Sequence, residues 1–276
     1  SDVCSSDLWA CNFYNGCSNG CEYCYCKKGI LAKTMGGNTP TLKKCFKDEA
    51  HALEVFEKEL LSNIQQLKIH GLFFSFSTDP MLPETIDLTI KAISVAVKHG
   101  VKVKILTKMA DFTDRFILKG AFHACTLENF QKIGFLGEIA FGFTLTGHDE
   151  LEPGASTNQE RIEAMKRLHD AGFKTFASIE PIIDFDSSMK MILSISDIDN
   201  CYCDLLKIGV ESNKKYIQES LQRFVNNVIG FTHVRSKIYF KDSLLQQAGI
   251  NRDDLPKDVC VTRDYNLFID RKEAQS

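Results

Sequence analysis

No apolar run in these 276 residues approaches the length of a membrane span, which argues against a helical membrane protein. A large excess of either charge is missing too. The formal net charge of −3 gives no global pull toward nucleic acid or a membrane surface. There is no internal repeat, low-complexity segment or linker, so a single large domain is the simplest organisation. There is no second spaced cysteine pair. Four of the 11 cysteines crowd into residues 17–26, and Cys11, Cys45, Cys125, Cys201, Cys203 and Cys260 make no further motif. That distribution is not a disulfide framework and fits a reduced, metal-binding use, hence a cytoplasmic protein. Two thiols at Cys201 and Cys203 alone make a poor metal site and read as small buried hydrophobes.

Residue 1 is not Met, and Ser1-Asp2-Val3-Cys4-Ser5-Ser6-Asp7-Leu8 reads as a translated sequencing-adapter remnant. Residues 1–8 and Cys4 are therefore set aside, and the natural start is expected to be missing. Residues 9–241 are read as the core. Residues 242–276 are read as a polar extension packed on it or trailing it.

What is present is organised around Asn15-Gly16-Cys17-Ser18-Asn19-Gly20-Cys21-Glu22-Tyr23-Cys24-Tyr25. The CxxxCxxC spacing can aim three thiolates of one loop at one centre. Soft thiolates select iron–sulfur clusters or zinc. Three ligands from one loop suit a cubane that keeps one iron free for a substrate. Cys26 leaves a four-thiolate structural zinc site open, although such sites usually use two pairs far apart in sequence.

Strand and helix patterns alternate along the rest of the chain. Strands are expected at 9–14, 72–77, 101–106, 139–146, 173–179, 203–208 and 238–240. Helices are expected at 48–66, 83–99, 112–131, 158–171, 187–195 and 214–226. This is the pattern of a parallel α/β barrel or open parallel sheet. In such barrels the site lies at the C-terminal ends of the strands. Those ends carry the cysteine loop, Ser77-Thr78-Asp79-Pro80 with Glu84, Thr107-Lys108, Thr144 and Thr146 before Glu152-Pro153, Glu180-Pro181, and Gly209 before Glu211. Thr78-Asp79-Pro80 alone could cap a helix. Polar groups at five strand ends around one cysteine loop argue for a ligand site. Beside it, residues 27–47 carry Lys27, Lys28, Lys33, Lys43, Lys44 and Lys47 and no acidic residue. This is either a solvated loop or a phosphate-attracting lip.

The cysteine motif with Tyr23 before its last cysteine resembles the radical S-adenosylmethionine (SAM) superfamily. Together with Thr78-Asp79-Pro80 and Glu84, Thr107-Lys108, and Glu152-Pro153 followed by Arg161, it looks like the subgroup related to spore photoproduct lyase, often labelled DNA-repair-photolyase-like. The resemblance runs from Asn15 to Pro181 and is loose beyond. It implies a partial (βα)6 TIM-like barrel and an enzyme with lyase- or transferase-type chemistry. It implies a 4Fe–4S cluster on Cys17, Cys21 and Cys24, with SAM on the fourth iron. By matching position, Thr78, Asp79, Lys108, Thr144 and Arg161 would bind SAM, and Lys108 could pair with its carboxylate. Reductive cleavage of the sulfonium would give a deoxyadenosyl radical that abstracts hydrogen from the substrate. A reductant such as flavodoxin or ferredoxin is implied, and nucleic acid is a candidate substrate. One departure stands out. Spore photoproduct lyase carries a hydrogen-donating cysteine in the strand before the Thr78 block, where this chain has Ser75-Phe76-Ser77. The readings from another class are a zinc- or iron–sulfur-stabilised nucleic-acid-binding protein and a redox sensor.

Overall fold

The computed structural model describes residues 9–113, 136–196, 201–211, 214–231 and 236–268. The expected helix over 112–131 and Cys125 lie mostly or wholly outside these residues.

Seven parallel strands make the main sheet: β1 (Ala10–Cys11), β4 (Leu72–Phe74), β5 (Val103–Thr107), β6 (Ile139–Thr144), β7 (Lys174–Ile179), β8 (Leu205–Ile208) and β9 (Lys237–Phe240). Their order in the sheet is their order in sequence, with Ala10 opposite Phe73 at one edge and Ile208 opposite Phe240 at the other. A doubly wound sheet reverses direction part-way across; this one does not, which is the topology of a barrel left open between its first and last strands. A small antiparallel pair, β2 (Tyr14–Asn15) with β3 (Thr41–Leu42), brackets the cysteine loop and the lysine-rich stretch.

The strands are buried on both faces, which is why they read as apolar runs. On the outer face Ile105, Phe141, Phe143, Ile179 and Ile208 share one core with the helices. These are α4 (Ile86–Lys98), contributing Ile90, Ile93 and Val97, and α5 (Asn158–Asp170), contributing Ile162, Met165 and Leu168. A second core forms from Ala140, Phe176, Leu205 and Tyr239 of four strands with Leu267. The alternation of these positions with the outer set places them inside the barrel.

The helix starts follow local chemistry. Thr157 and Glu160 form a reciprocal capping box at the head of α5. Asp48 caps α2 (Glu49–Ser62), accepting from the His51 backbone N–H at 2.8 Å. Asp184 caps α6 (Phe185–Ile195) through Ser187.

Several expectations are corrected. The single helix over 48–66 is two, because Asn63 turns its side chain onto Glu59 O at 2.8 Å and leaves helical geometry before α3 (Ile64–His70). The strand over 72–77 stops at Phe74, since Asn12 Oδ1 takes the backbone N–H groups of Phe76 and Ser77. The helix read from Lys214 begins at Gln218 as α7 (Gln218–Gly230). The preceding residues are held elsewhere: Lys214 Nζ donates to Ile183 O and Tyr216 Oη to Ile182 O. The polar tail after β9 is not merely polar. It forms α8 (Asp242–Ala248), and Leu244, Leu245, Ala248, Leu255, Cys260 and Leu267 are buried. No helix among the described residues is long and apolar enough to cross a membrane.

Candidate functional site

The strand C-termini surround a cavity of about 320 Å³. Cys17, Cys21 and Cys24 form one wall, and Thr78, Asp79, Lys108 and Thr144 line it with them. Seven of the eight residues read from the sequence thus meet in one place. Arg161 does not line it.

The cysteine loop leaves β2 through Gly16, at φ 83°, where a Cβ would lie 2.4 Å from Thr39 O. Only glycine accepts that approach and that conformation. The approach lets the Cys17 N–H reach Gly37 O at 3.0 Å. The far side of the loop is tied to the β6 connection: Glu22 N–H donates to Leu151 O at 3.0 Å, and Gly154 N–H to Asn19 O at 2.9 Å.

Asp79 is the hub between loop and sheet. Its carboxylate accepts from Asn19 Nδ2 at 2.8 Å, Thr107 Oγ1 at 2.6 Å, and the backbone N–H groups of Lys108 at 2.7 Å and Met81 at 3.0 Å. These four bonds join the cysteine loop, the β4 connection and the end of β5. With its acceptor sites taken, Asp79 shapes the wall.

Arg161 is fully buried. Its guanidinium donates to Ser156 O and Thr144 O, each at 2.7 Å, and to Glu152 Oε2. Glu152 also receives the Tyr23 hydroxyl. Arg161, an expected cofactor contact, has its guanidinium engaged by these three protein acceptors. A chain of side chains, Tyr23 to Glu152 to Arg161, fastens the third cysteine's neighbour to the end of β6.

The thiols sit in unlike settings. Burial, followed by the nearby Asp79 carboxylate, pushes Cys17 up to about 11, while the N–H groups of Asn19 and Asp79 oppose this. Burial also raises Cys21, against the pull of Lys108. Cys24 is lowered to about 6, chiefly by the hydrogen bond from the Cys26 thiol. Cys26 also lines the cavity and lies 3.5 Å from Phe76 O.

The residues fit a cluster with a bound ligand on two counts. Three free thiols of one loop face one cavity. Two further atoms of lining residues, Thr78 Oγ1 and Asn19 Oδ1, are buried without a hydrogen-bond partner among the described residues. Buried polar atoms are rarely left unpaired, so these two call for a ligand. A cubane takes one thiolate per iron, unlike four thiolates on one zinc.

The radical SAM superfamily profile matches residues 11–192, well over half of the chain. The chain belongs to this superfamily. Its members are enzymes whose cofactors are a 4Fe–4S cluster and SAM. Solved structures of Streptococcus suis SuiB resemble the fold. The SAM-bound form superposes with a TM-score of 0.56 at 14% identity, covering 89% of this chain and 53% of SuiB. The form bound to the precursor peptide SuiA gives 0.58 at 14% identity, covering 91% and 53%. This radical SAM chain thus spans about half of SuiB. The uncharacterised protein ORF301 of Acidianus two-tailed virus is 21% identical, over 86% of this chain and 84% of its own length.

The strand-end residues Glu180 and Glu211 also line the cavity, and with them stand two lysines that the sequence reading missed, Lys207 and Lys241. A signal was available. A lysine interrupts the apolar run of β8 at Lys207, at a position whose neighbours Leu206 and Ile208 are buried. Lys241 directly follows β9 and pairs with Glu180 at 2.7 Å. Glu211 pairs with Lys28 across the mouth.

Proposed function

We propose that this radical SAM enzyme holds a 4Fe–4S cluster on Cys17, Cys21 and Cys24 and binds SAM against Thr78, Lys108 and Thr144. The convergence of the three thiols with the orphaned Thr78 Oγ1 carries this reading. When bound, the two cofactors supply one-electron cleavage of the sulfonium and abstraction of hydrogen from a substrate. The protein supplies position. Asp79 locks the loop to β5, so the thiols and Lys108 keep a fixed relation. Lys108 lies 5.5 Å from the Tyr23 ring, where it offers a cation to a carboxylate. The apolar inner core of Ala140, Phe176, Leu205 and Tyr239 lies on the same strands, earlier along each than the residues that line the cavity from it.

The substrate is read as occupying the side lined by Glu180, Lys207, Glu211 and Lys241. Gly209 makes room for the Glu180–Lys241 pair; a Cβ there would meet Lys241 Cδ at 2.8 Å and Glu180 Cδ at 3.0 Å. The two carboxylates and two ammonium groups balance, which supports a neutral or zwitterionic polar group at the reacting end. A peptide is one such class, and SuiB has been solved with one. A nucleic acid is a second reading, supported by the six lysines of residues 27–47 outside the cavity. The likeness to the spore photoproduct lyase subgroup is supported by Thr78, Asp79, Thr107 and Lys108 of its blocks, which line this cavity. Thymine-dimer repair by that enzyme's route is not proposed, because Ser75-Phe76-Ser77 offers no thiol.

Metal analysis tests the cluster. Anaerobically reconstituted protein should bind close to four iron and four sulfide, as a 4Fe–4S centre requires, and Cys21→Ala should lose most of both. Stoichiometric zinc without visible charge-transfer absorbance would refute it.

A further inference from the structure

Cys26 is the one thiol of residues 17–26 that the proposed cluster leaves unused. It is not a surface residue. It is 6% exposed and lines the cavity together with Cys24.

The backbone explains how the two sulfurs meet. Cys24 stands at the head of a tight helical turn, Tyr25–Lys27, with φ −57° and ψ 119°. The Lys27 N–H closes the turn on Cys24 O at 3.1 Å, and the Lys28 N–H donates to Tyr25 O at 3.1 Å. The turn aims its donors at the Cys24 sulfur, which receives hydrogen bonds from the backbone N–H groups of Cys26 and Lys27 and from the Cys26 thiol. Cys17 differs, because its sulfur takes the backbone N–H groups of Asn19 and Asp79. The Cys26 sulfur has a second neighbour, Phe76 O, at 3.5 Å. That carbonyl already accepts from the Tyr25 hydroxyl. An S–H has one proton to give. It is a weak donor to a neutral acceptor and a better one to a charged sulfur, so a thiolate ligand at Cys24 draws it away from Phe76 O.

We infer that Cys26 is a positioning residue that tunes the cluster through Cys24, its S–H bond to the ligand sulfur stabilising the reduced state and raising the reduction potential. The inference rests on the cluster reading above. Reduction adds one electron to the cluster, and no bond forms or breaks. Part of the added charge falls on the ligand sulfurs. A donor aimed at one of them therefore holds the reduced state better than the oxidised one, and burial strengthens the effect. The two backbone donors stay in any variant, so the side chain at 26 alone sets this part of the potential.

The test is a potentiometric titration of the reconstituted holoenzyme without SAM, read by the EPR signal of the reduced cluster. Two pairs are compared with the wild type: Cys26→Ser with Cys26→Ala, and the mutually isosteric Cys26→Thr with Cys26→Val. Poised at the wild-type midpoint, the Ala and Val variants should show a reduced-to-oxidised ratio lower by about threefold or more, the size of one lost hydrogen bond. The Ser and Thr variants keep a hydroxyl donor and should stay near the wild type. Iron content should match in all five proteins. Either pair alone decides the matter, so one variant that fails to fold leaves the other pair to answer. Equal midpoints throughout would overturn the inference, and so would a midpoint that follows side-chain size and not the presence of a donor. Loss of iron from Ala and Ser variants alike would make Cys26 a ligand and overturn it too. Failure of the cluster reading looks different, because the wild type would then give no iron-dependent EPR signal at any potential.

Discussion

Arg161 and Glu152 form an ion pair in which neither side chain has any exposure to solvent. The pair has other partners on each side, since Arg161 reaches Thr144 O and Ser156 O and Glu152 takes the Tyr23 hydroxyl. Removing one member leaves the other charged and dry. Arg161→Met alone, or Glu152→Leu alone, should destabilise the protein by about 3–5 kcal/mol. The double variant Arg161→Met/Glu152→Leu should lose less than the sum of the two. Thermal or denaturant unfolding checks this; strict additivity would show that the pair is not coupled.

Lys108 is placed differently. Its ammonium lies over the Tyr23 ring at the cavity wall and acts electrostatically on both Cys21 and Cys24. Lys108→Ala should weaken SAM binding by about 1.5–3 kcal/mol, the range for a hydrogen bond to a charged group. Equilibrium binding of SAM to the reconstituted protein measures it. Unchanged affinity would remove Lys108 from the cofactor contacts.

Much of this arrangement was legible in the sequence because it is local or periodic. Cys17, Cys21 and Cys24 are close in the chain, and the buried strands announce themselves as apolar runs between helices. The division of labour among the polar residues was not legible. Asp79 and Lys108 follow strand ends and Arg161 sits in the first turns of α5, yet Asp79 is consumed by four protein donors and Arg161 by three acceptors. Those partners come from distant segments, and no spacing rule reports them. The break at Asn63 and the late start of α7 have the same origin, since side-chain bonds to backbone override helix periodicity there.

His148 bridges two carboxylates on neighbouring connections, Glu150 at 2.6 Å from Nδ1 and Asp184 at 2.5 Å from Nε2. Its pKa is raised, first by the Glu150 bond, against the cost of burial, with Asp184 adding to the rise. A histidine raised on folding stabilises below its unfolded value of about 6.5, and that contribution disappears as pH climbs through the folded value. The stability difference between wild type and His148→Gln should therefore be largest in mildly acidic buffer and shrink toward alkaline pH. Unfolding midpoints across that range give the answer; a difference that grows with pH would contradict the bridge.

Gly16 carries the entry to the cysteine loop. Gly16→Ala should strain a left-handed backbone and drive a methyl into Thr39 O, which lies 2.4 Å from the Cβ position. The cost should exceed about 1 kcal/mol, and iron loading should fall because Cys17 is the next residue. Reconstitution to full iron content with unaltered stability would show that the loop has another route.

The central claim is that three cysteines of one loop, facing Thr78 and Lys108 across a shared cavity, hold a cluster that cleaves SAM. The most direct measurement is 5′-deoxyadenosine formed by anaerobically reconstituted, dithionite-reduced protein incubated with SAM. The account predicts deoxyadenosine from the wild type and none above background from Cys21→Ala. A fully iron-loaded wild type that forms none, or a Cys21→Ala protein that forms as much, would contradict it.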